Sequence, residues 1–468
     1  MSARRPNIVF ILTDDHAAHA MSCYGSRINR TPNLDRIAEA GVRFESCYCT
    51  NSICTPSRAT ILTGTYNHVN GATTLATRLD NRLTTFPKLL RAAGYQTAIV
   101  GKWHLGEGPE HCPTGFDYWN VLPGQGAYHD PVMIEMGEEK VFEGYATDLI
   151  ADFSLRWLRE RDRDRPFCLL CHHKAPHRPW EPDAKHERMY EDENIPLPES
   201  FDDAYEGRPA AEAAFMRVER DMRETDLKAP EPPGLGPRES KIWKYQRYIK
   251  DYLRCVASVD DNVGRLLDYL REEGLEQDTI VIYTSDQGFF LGDHGWYDKR
   301  FMYEESLKMP MVMSFPGRIA AGTVCHDMVL NVDFAPTLLD YCGIGVPAEF
   351  QGSSFRPVLE GRRPADWQTS MYYRYWMHND NPHGVWAHYG VCTHEHKLIY
   401  YYGQPLGQKG ARELAVTPYW ELYDRKKDPC ELRNVYGDPA YAGVVRELKT
   451  ELRLLQERVG DRPVEEVG

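Results

Sequence analysis

No stretch of this 468-residue chain approaches the roughly 18 consecutive apolar residues that a membrane-spanning helix needs, so the sequence carries no span of that kind. It has no basic stripe either. Its 55 Lys and Arg stand against 69 Asp and Glu, a net charge of −14, which argues against nucleic acid as a partner. Total charge does not exclude an anionic substrate, because the local field of a site decides what it binds. The twelve cysteines are too few for a dense disulfide framework in so long a chain. Cys47 and Cys49 share one side of a predicted strand, and no second CxxC follows Cys168 and Cys171, which disfavours zinc. These thiols read as buried and reduced. Internal repeats and low-complexity tracts are absent. The start, MSARRPNIVFILTDD, has the basic and apolar parts of a leader. Its IVFIL run is too short, however, and ends on two aspartates instead of a cleavage site. It reads as a buried first strand, with a cytoplasmic location expected, or a periplasmic or secreted one if a signal peptide was removed.

What is present is the make-up of a globular protein, 42% hydrophobic and 26% charged. PNIVFILTDD, YQTAIVG, DRPFCLLCHHKAPH and DTIVIYTSDQG are apolar strands that break into polar residues at their C-terminal ends. Helices alternate with them. TPNLDRIAEAGVRF has Thr31 as cap, Pro32 in the first turn and Gly41 at the exit; TFPKLLRAAG and the amphipathic DYLRCVASVDDNVGRLLDYLREEGL follow. This is an α/β fold with a mainly parallel sheet. Residues 188–239 lack a period and read as a surface insertion, a lid or wall of a pocket. Beyond about residue 360 the character changes to short aromatic strands, MYYRYW, YGVCT, HKLIYYY and YWELYD, and a closing helix VVRELKTELRLLQERV. The expected division is a catalytic domain over 1–360 and a smaller α+β unit with a short antiparallel sheet over 361–468.

The chemistry falls just past strand ends, the edge where open α/β sheets bind ligands. Asp14, Asp15, Asp286 and Gln287 offer hard oxygen ligands from distant parts of the sequence, a donor set that suits calcium. Either pair alone reads better as helix caps or solvated turns; both at strand ends, in the company of the groups that follow, reverse that reading. Arg58, Lys102, His104, His177 and Lys299 add cations and proton donors, the set a tetrahedral oxyanion such as sulfate or phosphate needs. Cys54 lies two residues before Pro56 and four before Arg58, ahead of an apolar run and Gly64. A thiolate there would be a poor partner for attack at sulfur or phosphorus.

CTPSRATILTG, with PNIVFILTDD, GKWHLG, KAPHRPW, TSDQGFFLGDHGWYDKR and WELYDRKKDP, resembles the type I sulfatases of the alkaline phosphatase-like superfamily over nearly the whole chain. The resemblance implies that sheet, sandwiched by helices. It also implies that a formylglycine-generating enzyme oxidises Cys54 to formylglycine, whose hydrate is a gem-diol. One hydroxyl of the diol attacks sulfur and expels the alcohol, and deprotonation of the second expels sulfate and restores the aldehyde. By the same resemblance one calcium ion is held by Asp14, Asp15, Asp286, Gln287 and the modified Cys54; many relatives carry Asn in place of Gln287. Arg58 holds the hydrate, Lys102 the sulfate, and His104 the diol. His177 and Lys299 face the ester oxygen and sulfate, with His177 the leading general acid.

Within the family, HKAPHRPWEP, KYQRYIKDYLRCVASVDDNVGR and SDQGFFLGDHGWYDKRFMYEESLKMP look most like bacterial N-acetylglucosamine-6-sulfatases. That implies exo action on sulfated saccharides, with His294, Trp296, Asp298 and His388 as candidate substrate-binding residues. HNDNPHGVWAH looks individual to this chain. The competing readings are a phosphonate or phosphate diester hydrolase on the same site, a small-molecule aryl or alkyl sulfatase, and a non-catalytic glycan-binding relative.

Overall fold

The computed structural model describes residues 5–464. Its centre is a ten-stranded sheet in the order Thr323–Cys325, Val42–Phe44, Met311–Ser314, Thr279–Ser285, Asn7–Thr13, Phe167–His172, Gln96–Lys102, Tyr118–Leu122, Val132–Glu135, Glu138–Val141. The five strands from Thr279–Ser285 to Tyr118–Leu122 are parallel. Antiparallel neighbours flank them on both sides.

The strand Asn7–Thr13 shows why such strands read as unbroken apolar runs. Ile8, Phe10 and Leu12 face one core while Val9 and Ile11 face the other, so both sides must be apolar. The helices Pro32–Ala40, Ala146–Glu160 and Pro237–Glu272 cover the Val9 face. Cys54–Thr63, Phe86–Ala92 and Phe334–Tyr341 cover the Phe10 face.

Two local expectations change. Thr31 precedes its helix, but its hydroxyl accepts from the Ser22 amide at 2.9 Å. The free amides of Asn33 and Leu34 are instead capped by the Asp260 carboxylate, at 3.0 and 2.8 Å, so tertiary contact replaces the local cap. The long helix starts at Pro237, well ahead of Asp251. Ile242, Tyr245, Tyr248 and Ile249 continue its apolar face, and Glu239 accepts the Gly236 amide at 2.8 Å.

The C-terminal strands Ser370–Tyr375, His388–Thr393, His396–Tyr401 and Tyr419–Asp424 form one antiparallel sheet. The helix Ala442–Val459 packs on it through Leu448, Leu452 and Leu455. One apolar cluster runs from Ile8 and Phe10 of the large sheet to Tyr401 and Leu422 of the small one.

Candidate active site

The strand Asn7–Thr13 delivers Asp14 and Asp15, and its parallel neighbour Thr279–Ser285 delivers Asp286 and Gln287 to the same edge. The Asp15 amide donates to Asp286 Oδ1 at 3.3 Å, which ties the two strand ends together. Asp15 has φ 70°, a left-handed conformation that Asp tolerates better than most residues. Carboxylate oxygens of Asp14, Asp15 and Asp286 lie within 4.8 Å of one another, fully buried. Asp14, Cys54 and His177 group within the same span.

Cys54 opens the helix Cys54–Thr63, all ten residues of which are buried. Pro56 is tolerated in the first turn, where amides have no intrahelical partner, and Gly64 ends the helix with φ 61°. The Cys54 Sγ lies 3.3 Å from Asp14 Oδ1, at the helix end whose exposed amides favour negative charge. Burial pushes its thiol up to about 12. Unmodified Cys54 is therefore a thiol at neutral pH and a weak nucleophile.

The cations interlock with the acids. Arg58, one turn into the helix, donates from Nε to Asp286 Oδ2 at 2.9 Å and from Nη1 to the Lys102 carbonyl at 3.0 Å. Lys102 pairs with Asp14 and also donates to Gln125. Lys299 donates to Asp15 at 2.5 and 2.7 Å; burial opposes its charge, and Asp15 holds the ammonium above the ordinary lysine value. His177 Nε2 lies 3.8 Å from Asp15 Oδ2, and its Nδ1 sits 2.6 Å from the Arg178 carbonyl. Burial, then Lys102 and Arg58, hold His104 well below the usual imidazole range. Burial, then Lys102 and Lys299, do the same to His177.

The acids form an all-oxygen set that fits a hard divalent cation. The Gln287 Oε1 is buried without a hydrogen-bond donor, while its Nε2 donates to Asp15 Oδ1 at 2.5 Å. An orphaned carbonyl beside three buried carboxylates is suited to serve as a further ligand.

A cavity of about 300 Å³ opens beside Cys54, lined by Gln125, Lys174, His177, Arg178, Lys299 and His383 among others. Asp298 lines it as well, its carboxylate 3.2 Å from His383 Nε2 and 3.4 Å from Arg300 Nε. The other three residues expected to bind substrate lie elsewhere. Trp296 is fully buried in a stack with Tyr205, Phe301 and Tyr303. His294 is fully buried against Asp203 at 2.7 Å and Glu305 at 3.7 Å. His388 stacks on Tyr373 and Phe301 inside the C-terminal core. The aromatic rings gain more by packing together than by facing a polar pocket.

In their place stand Arg300 and His383, held by Asp380 at 3.8 and 2.7 Å, with Lys174, Gln125 and Arg178. Arg300 directly follows Lys299, and His383 lies in HNDNPHGVWAH, so position could have flagged both. Nothing local marks Asp226, which reaches in from the insertion to hold Arg178 Nε at 3.2 Å.

The family description "Sulfatase" matches residues 6–344. The chain belongs to the sulfatase family. A second description, "N-sulphoglucosamine sulphohydrolase, C-terminal", matches residues 292–458 of this sulfatase. An N-acetylglucosamine-6-O-sulfatase of Bacteroides thetaiotaomicron is 42% identical over 99% of this chain and 88% of its own length. A solved structure in complex with its substrate, D-glucosamine-2-N,6-O-disulfate, superposes with a TM-score of 0.91 at 42% identity. That match covers 99% of this chain and all of the other. A phosphonate monoester hydrolase of Agrobacterium radiobacter, 22% identical with a TM-score of 0.76 over 97% of this chain and 96% of its own, shares the fold. This sulfatase is thus a sulfuric ester hydrolase built on the alkaline phosphatase-like sheet.

Proposed function

We propose that this sulfatase hydrolyses the 6-O-sulfate of glucosamine-type saccharides. The observation that carries the reading is the 42% identity, along the whole chain, to a structure holding a 6-O-sulfated glucosamine. The site's dimensions agree. A cavity of about 300 Å³ takes a single sulfated sugar ring. The Asp298–His383–Asp380–Arg300 network at its wall offers both donors and acceptors to sugar hydroxyls. Its members fix one another, so little rotamer freedom is lost when a sugar binds.

The catalytic parts follow from the buried charges. Asp14, Asp15, Asp286, Gln287 and residue 54 would hold a calcium ion, which neutralises sulfate charge and acts as a hard Lewis acid. Formylglycine made from Cys54 by a formylglycine-generating enzyme supplies, as its hydrate, the oxygen nucleophile that the buried thiol cannot be. Arg58 fixes the base of the site through Asp286 and the Lys102 carbonyl. Lys102 and Lys299 sit beside the carboxylates, where two further positive charges oppose the charge on the sulfate oxygens. His104 and His177, kept neutral by burial and those cations, can accept a proton. Asp14, Asp15, Asp286, Lys102 and Lys299 are themselves buried, which strengthens each of these interactions.

The test is sulfate release by matured enzyme from glucosamine carrying one sulfate at the 6-O, 3-O or 2-N position. Release from the 6-O ester at least about tenfold faster than from the other two is expected. Equal rates, or a preference for the 2-N sulfate, would reject the positional reading and leave the sulfatase chemistry intact.

A further inference from the structure

Two further cavities adjoin the one beside Cys54 along a single segment. A cavity of about 470 Å³ shares Leu75 with the active-site cavity and is also lined by Thr55 and His104. Another, of about 630 Å³, shares Thr77 and Arg78 with that second cavity. Residues 75–78 thus border all three in turn. The segment is fastened at both ends. The Leu79 amide donates to the Leu105 carbonyl at 2.9 Å, and the Thr74 hydroxyl donates to the Lys409 carbonyl at 2.6 Å. The linings differ in character. The middle cavity is mainly apolar, with Trp103, Trp119, Val121 and Ile134 beside Glu107 and Glu139. The far one is lined by Arg78, Lys409, His68 and His111 and by no carboxylate. In a chain with 69 acids against 55 Lys and Arg, a cavity whose ionisable groups are all basic is a local departure.

Arg78 and Lys409 are exposed, and among the described residues neither makes an ion pair. A single surface cation without a partner is ordinary. Two lining one concavity with no acid in its lining set up a field that favours an anion. His68 Nε2 and His111 Nδ1 each donate to a main-chain carbonyl at 2.8 Å, of Val459 and Leu79 respectively. Their remaining ring nitrogens are left to accept from hydroxyl groups. Cations and hydroxyl acceptors, reached past indole rings, match a carbohydrate that bears anionic groups. We propose that this sulfatase binds its sugar 6-sulfate as the end residue of a longer anionic oligosaccharide. The next sugar lies against Trp119 in the middle cavity, where Glu107 and Glu139 accept from its hydroxyls. Sulfates or carboxylates further along the chain meet Arg78 and Lys409. Each of the two cavities has room for a further sugar ring, and the fastened segment between them needs little ordering when the chain binds.

The inference rests on the proposed action on sugar 6-sulfates, and the test separates the two. Matured wild type, Arg78→Ala/Lys409→Ala and Trp119→Ala are compared on glucosamine 6-O-sulfate and on a sulfated tetrasaccharide. The tetrasaccharide alternates uronic acid with glucosamine and carries a 6-O-sulfated glucosamine at its non-reducing end. Wild type is expected to show a KM about tenfold lower for the tetrasaccharide, the scale that two exposed charge contacts can reach. The double variant should lose that advantage and keep kcat and KM on the monosaccharide within about twofold, which also shows that it is folded. Trp119→Ala should lose part of the advantage. Raising NaCl from about 0.05 to 0.5 M should erase it in wild type, because exposed charges are screened, and leave the double variant unmoved. Equal KM for the two saccharides in wild type, or an advantage that survives the double substitution, would overturn the extended site. A Trp119→Ala variant as good as wild type on the tetrasaccharide would overturn the route through the middle cavity. Failure of wild type on both saccharides, with activity on 4-nitrophenyl sulfate, would instead sink the substrate reading.

Discussion

At the scale of single residues, burial decides what each group can do. Cys54 is the plainest case, since burial raises its thiol to about 12 and leaves it a weak nucleophile at neutral pH, in keeping with the proposed conversion. Gln287 supplies a carbonyl without a partner beside three carboxylates. Gln287→Ala is expected to weaken calcium binding by about 10–100-fold, the range seen when a metal site loses a supporting group, and Gln287→Asn by less. Calorimetric calcium titration checks both, and an unchanged affinity would remove Gln287 from the ligand set. His294 gives a pH prediction. Burial opposes its charge, yet Asp203 and Glu305 raise it from 6.5 to about 9. A raised folded value means that the charged form stabilises the fold fully below about 6.5 and that this contribution disappears as pH rises through 9. The difference corresponds to about 3 kcal/mol. Urea midpoints should fall between pH 6 and 9.5 in wild type, and His294→Gln should flatten that fall; a variant with the same pH dependence contradicts the assignment. Among residues, the acids at strand ends were legible because an apolar run that stops on Asp sets charge at a sheet edge, where ligands bind. His294, Trp296 and His388 were misplaced because a sequence motif names residue types, whereas the side on which a ring packs depends on distant partners such as Tyr205 and Tyr373.

At the scale of elements, all ten residues of the helix Cys54–Thr63 are buried, and the modification signal proposed for CTPSR lies within it. An enzyme cannot reach Cys54 without opening that helix. A peptide spanning residues 50–64 should therefore be converted by a formylglycine-generating enzyme, whereas the folded unmodified chain should not, as read by mass spectrometry. Conversion of the folded chain at the peptide's rate would contradict this. The insertion acts as a wall. Asp226, 1% exposed, grips Arg178, and Lys228 reaches the Trp180 carbonyl and Asp251. Removing one partner of a buried pair leaves the other uncompensated and costs about 3–5 kcal/mol. Asp226→Ala should lose about that much in urea unfolding, and the double variant Asp226→Ala/Arg178→Met should recover part of it. The parallel strands and their crossover helices were readable from period and polar ends. The insertion's docking was not, because it depends on one carboxylate in a stretch without periodicity.

At the scale of the molecule, an acidic chain of net charge −14 builds a local site rich in cations, so local field and total charge part company. The aromatic C-terminal stretch was visible as a change of character, but its contribution to the site was not. Tyr373 accepts the Ser52 amide at 3.1 Å and donates to the Arg300 carbonyl at 2.7 Å, and the Asp380–His383 loop completes the cavity wall. The apolar cluster shared by the two sheets makes that contribution part of the folding unit. The central claim is that residue 54, once converted, turns over sugar 6-sulfates. The most direct measurement sets the initial rate of sulfate release from glucosamine 6-O-sulfate against the fraction of Cys54 converted, counted by mass spectrometry across preparations of differing maturation. A rate proportional to that fraction, passing through zero and absent in Cys54→Ala, is predicted. Release by unconverted protein or by Cys54→Ala at a comparable rate would contradict it.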